Sequence, residues 1–110
     1  MEVPMPAGSQ LTLYTSRKHK KGHKSAVSWI IDAARAQGVF GITVLEGYEG
    51  LDIHGKMHAA HFFDLADEPS VVLIVADEPS IDALLVTLEA GGVELFYTRT
   101  AIDYGRLGGV

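Results

Sequence analysis

Apolar positions recur along this chain with two periods, and the switches between them mark out the elements. Leu11 and Leu13 alternate with Thr12 among β-formers, which predicts a strand over 11–15. Val27, Ile30, Ile31 and Ala34 fall at i, i+3, i+4 and i+7, one stripe of a helix that Ser25 can cap. That helix is expected to run to about Gln37 and to end at Gly38 in a left-handed conformation. Phe40, Ile42 and Val44 return to a period of two and predict a second strand over 40–45. Val71 to Ala76 is apolar at every position, the pattern of a strand buried on both faces. Pro79 suits the first turn of a second helix, whose stripe is Ile81, Leu84, Leu85 and Leu88 and which Gly91-Gly92 stops. The fourth strand is expected over 93–102.

The order β-α-β-β-α-β is the split βαβ arrangement of ferredoxin-like folds. It predicts an α+β two-layer sandwich, with both helices on one face of an antiparallel sheet. A single domain is expected over 10–104, with a loose extension over 1–9 and a tail over 105–110. Two helices can cover only one sheet face, yet the third strand is apolar on both sides, and Leu45 and Phe96 add further bulk. An uncovered apolar face would exceed the few hundred Å² usual for monomers, so self-association is expected. Trp29 falls off the first helix's stripe and is a candidate for a second contact surface.

Charge changes this picture more than composition does. The net charge is −5, which argues against a general nucleic-acid binder. Five of the nine cations lie between Arg17 and Lys24, so the remaining chain holds four cations against fourteen acids. An acidic body therefore carries one concentrated basic loop. The longest apolar run has six residues, against the ~20 a membrane-spanning helix needs, so no membrane insertion is expected. The start of the chain has neither a basic nor an apolar stretch, and there are no cysteines, so a cytoplasmic protein without disulfides is expected.

The basic loop joins a strand to a helix N-terminus, where backbone N–H groups and the helix dipole favour anions. Gly22-His23-Lys24-Ser25 lacks the spacing and the upstream glycine of a phosphate-binding Walker loop. His54, His58 and His61 stand at i, i+4 and i+7, a spacing that would align three imidazoles for zinc or copper on a helix. Gly55 and Lys56 between them oppose that arrangement. Ser25, Ser28, Ser70 and Ser80 lie in no nucleophile elbow, and the acids are scattered, so no enzyme is expected. Tyr48, Phe62, Phe63 and Tyr97 read as core or interface aromatics before they read as a nucleobase platform.

Taken in order, several residues resemble one family. They are Lys18-His19-Lys20-Lys21-Gly22, Gly38, Gly41-Ile42-Thr43-Val44-Leu45-Glu46-Gly47, Gly50, His58, Phe63, Pro69 and Val75-Ala76-Asp77. The chain resembles the PII-like proteins classed as domain-of-unknown-function family one hundred and ninety, within the nitrogen-regulatory PII-like superfamily. It departs from them at Gly50-Leu51-Asp52, where members often carry Gly-Phe-Gly. The resemblance implies a homotrimer with sheets inside and helices outside. It also implies adenine-nucleotide binding in clefts between subunits, near the base of a long mobile loop equivalent to residues 48–69. On that basis the chain is expected to be a regulator without a fixed cofactor, binding a small anionic metabolite. Lys18, Lys20, Lys21 and Lys24 would supply charge, Gly41, Thr43 and Gly47 close backbone approach, and His58 a pH-sensitive contact. The loop would face a transporter or enzyme target. The alternatives are a metal-responsive trimer using His54, His58 and His61, and a structural adaptor without a ligand.

Overall fold

The computed structural model describes residues 7–16, 18–46, 49–51, 57–59 and 69–108. Strand β1 (Ala7–Ser16) leads into a short ribbon of β2 (Lys20–Lys21) and β3 (Lys24–Ser25), then helix α1 (Ala26–Ala36). Strand β4 (Gly41–Glu46) is followed by a second ribbon, β5 (Glu49–Leu51) and β6 (Met57–Ala59). Strand β7 (Pro69–Asp77), helix α2 (Glu78–Ala90) and strand β8 (Phe96–Asp103) complete the chain. The main sheet has the order β4-β7-β1-β8, antiparallel throughout. This is the expected α+β, ferredoxin-like architecture.

Both helices form where their stripes and caps coincide. The Ser25 side chain accepts a hydrogen bond from the Ser28 N–H, and the Asp77 side chain accepts one from Ser80. Gly38 ends the first helical segment with φ of +67°, a conformation glycine adopts without a Cβ penalty. Ile30, Ala34, Ile81, Leu84 and Leu88 pack on Leu11, Leu13, Val72, Ile74 and Ala76, and this is the core. Trp29 is not a free contact surface. Its ring lies so close to Gly91 that a Cβ there would sit 2.2 Å from it. Among the described residues, no helix is long and apolar enough to cross a membrane.

Three further expectations change. Strand β1 begins at Ala7, so residues 7–9, expected in the loose extension, belong to the sheet. Ser9 is buried and bonded to Glu78, and Gly8 lies where a Cβ would meet the Ala76 carbonyl oxygen at 2.1 Å and Tyr104 at 2.8 Å. Strand β7 is not buried on both faces within one chain: Ser70, Val72, Ile74 and Ala76 are buried under the helices, while Val71, Leu73 and Val75 on the other face are half-buried. The basic segment is a hairpin rather than an irregular loop, turned at Gly22 with φ of +65°.

Candidate functional site

Strand register brings two loops to one end of the sheet. Ser16, the last residue of β1, stands opposite Pro69, the first of β7, and Glu46, the last of β4, stands opposite Ser70. The chain therefore leaves β1 for the basic hairpin, and β4 for residues 47–68, at the same end of the sheet. Bonds at the strand ends hold this junction. The Ser70 hydroxyl donates to Glu46 Oε2 at 2.8 Å, and Thr15 Oγ1 lies 2.9 Å from His19 Nδ1. The His19 N–H donates to the Ser16 carbonyl at 3.2 Å, and the Ala26 N–H to the His19 carbonyl at 2.9 Å.

On the face away from the helices, this end carries an apolar row. Leu45, Val71, Tyr14 and Phe96 stand side by side across the four strands. The Tyr14 and Phe96 rings lie 5.5 Å apart. Leu45 is 52% exposed and Phe96 51%.

Lys18, Lys20, Lys21 and Lys24 are exposed on and beside the hairpin, as a group. Lys24 is already engaged: its Nζ lies 2.5 Å from Asp32 on α1, and this hydrogen bond and charge hold the Asp32 carboxyl below its ordinary range. Thr43 lies exposed in the middle of β4, on the open face. Gly41 does not join the lysines, because it opens β4 at the opposite end, across from Val75. His58 lies in β6, paired with Gly50. Gly47, His54 and His61 lie outside the described residues, as do Tyr48, Phe62 and Phe63. Among the described residues, no three acidic, histidine or cysteine side chains are grouped to hold a metal ion.

Sequence reasoning did not find the polar cluster at the far end. Arg99 reaches Asp82 at 2.8 Å, Glu78 at 3.4 Å and the Ser9 hydroxyl at 3.2 Å, while Ser9 donates to Glu78. The Asp82 hydrogen bond is the main cause holding the guanidinium proton more firmly than usual. Nearby, the Phe40 and Tyr104 rings lie 5.0 Å apart, and Arg106 sits 5.7 Å over Phe40. Nothing in local periodicity announces contacts between residues this far apart in the chain.

The same fold occurs in known regulators. A structure of CPII, a nitrogen regulatory PII-like protein from Thiomonas intermedia K12, was obtained bound to ADP and bicarbonate. It matches with a TM-score of 0.69 at 19% identity, over 96% of this chain and 95% of that one. A second CPII structure, bound to ADP, AMP and bicarbonate, matches with a TM-score of 0.67 at 15% identity, over 94% and 100% of the two chains. A PII-like signaling protein from Thermus thermophilus matches with a TM-score of 0.65 at 10% identity, over 91% of each. No curated protein sequence matches significantly. The sequence model of DUF190, described as Uncharacterized ACR, matches residues 8–102. With that match spanning nearly the whole sheet-and-helix unit, and with the fold of PII-like proteins, the chain belongs to the DUF190 family.

Proposed function

We propose that this protein is a PII-like regulator, not an enzyme, that binds a small anionic effector, an adenine nucleotide, at clefts between subunits. The observation that supports this reading is that β1 ends before the basic hairpin, and β4 ends and β7 begins around residues 47–68, at one and the same end of the sheet. Lysine side chains there are suited to phosphate oxygens, and the adjoining apolar row is suited to a neighbouring subunit. A PII-like fold, and CPII bound to adenine nucleotides, support the same ligand class. The open sheet face is covered by two further copies of the chain, forming a homotrimer. Effector binding alters the surface that the insertion presents to a target such as a transporter or enzyme. It can do so only if the effector favours one arrangement of that surface over another.

Isothermal titration with ADP tests the reading. Wild type is expected to bind up to one ADP per subunit. The Lys20→Ala/Lys21→Ala variant should lose about tenfold or more in affinity, as charge-assisted bonds of about 1.5–3 kcal/mol imply, with its assembly unchanged. Equal affinity in the variant would remove the hairpin from the site. Absence of ADP binding in wild type would sink the nucleotide reading.

A further inference from the structure

The lysines of the β2–β3 hairpin do not play one role. The hairpin consists of two residue pairs, Lys20 with Ser25 and Lys21 with Lys24. A ribbon this short has no independent stability in water. It also sets two lysines, Lys21 and Lys24, directly across from each other, and like charges in that position push the strands apart. Asp32, two turns into α1, meets this problem, because its carboxylate takes Lys24 Nζ at 2.5 Å. The other cation acting on Asp32 is Arg35, three residues further along the same helix, and its influence is smaller than that of Lys24. Lys20 and Lys21 are exposed and enter no ion pair among the described residues.

We propose that Asp32 is the positioning residue of the hairpin. By neutralising Lys24 and tying it to α1, it fixes the ribbon and leaves Lys20 and Lys21 to meet the anionic oxygens of the effector. The role in binding rests on the effector reading above, whereas the role as anchor does not. Lys24, expected from sequence as a ligand contact, is on this account part of the support.

Two readouts on the full-length protein test the division. Without ligand, Asp32→Asn and Lys24→Gln should each speed tryptic cleavage after Lys20 and Lys21 by about two- to fivefold, the small effect expected of an exposed ion pair. The charge swap Lys24→Asp with Asp32→Lys should restore the wild-type rate. With ADP, Lys20→Gln and Lys21→Gln should each flatten the dependence of affinity on salt, while Lys24→Gln leaves that slope as in wild type. Unchanged cleavage in both anchor variants, or no recovery in the swap, overturns the anchor. A slope flattened by Lys24→Gln as much as by Lys20→Gln makes Lys24 itself a ligand contact and overturns the division of roles. If wild type binds no ADP, the effector reading and the binding role fall together, and cleavage alone decides the anchor.

Discussion

The two faces of the central sheet are made by the same four strands and differ in what covers them. Under the helices, Leu11, Leu13, Val72 and Ile74 are fully buried. On the other face, their strand neighbours Thr12, Tyr14, Leu73 and Val75 alternate with them, and Tyr14, Leu45 and Phe96 remain exposed. Strand β7 is the clearest case: every residue from Val71 to Ala76 is apolar, yet burial alternates along it. Hydrophobicity thus exceeds what one chain can bury, and the excess lies on one side. The comparison separates the interactions that fold the chain from those available to join copies of it.

The largest expected effect falls on the covered face. Ile74→Ala should lower stability by about 2–5 kcal/mol in urea unfolding, because the surrounding core cannot close the cavity. Leu73→Ala, one residue away on the open face, should lower it far less in dissociated protein. Equal losses at concentrations where the protein is assembled would show that copies cover the open face. Gly8→Ala comes next, at about 1–3 kcal/mol or more, because the new methyl meets the Ala76 carbonyl oxygen, which belongs to the backbone and cannot rotate aside. Ser25→Ala removes the α1 cap and should cost about 1 kcal/mol by thermal unfolding.

Acid sensitivity sharpens the picture of the helix layer. Hydrogen bonds from Ser80 lower the Asp77 carboxyl below its unstructured value of 3.8. Its contribution is therefore complete above that value and is lost as pH falls through the lower, folded one. The gap in melting temperature between wild type and Asp77→Ala should be full at neutral pH and close in strong acid. The smallest effect on folding is expected from Phe96→Asp, at a half-exposed position of the open face. That variant should keep the wild-type circular dichroism but shift to lower mass in native mass spectrometry. An unshifted assembly would remove this row from the interface.

The helices were legible in the sequence because each carries a full apolar stripe and a capping side chain within its own span. Strand ends were less so. Ser9 and Ser70 are small polar residues with little strand preference, and they enter the sheet through Glu78 and Glu46, 69 and 24 residues away. The 20–25 ribbon has no apolar alternation at all. Its lysines were visible as a charge run, but the partner at Asp32 lies around the first turns of the next helix. The family resemblance groups Gly41 with them, but it stands five residues before Glu46 along β4. In an extended strand that separation becomes about 17 Å at ~3.4 Å per residue, which carries Gly41 to the far end.

The pairing of Ala7 with Asp103 has a practical consequence for protein engineering. Directly opposed residues of an antiparallel pair lie only about 4.5–5.5 Å apart, so a short linker can join these two positions without bending the sheet. New chain ends can then be opened within the 47–68 insertion. Such a circular permutant would keep both helices and all four main strands, while cutting the backbone at the base of the proposed ligand cleft. A donor and an acceptor fluorescent protein, one fused to each new end, would convert a change in the spacing of those ends on occupancy of that cleft into an optical signal.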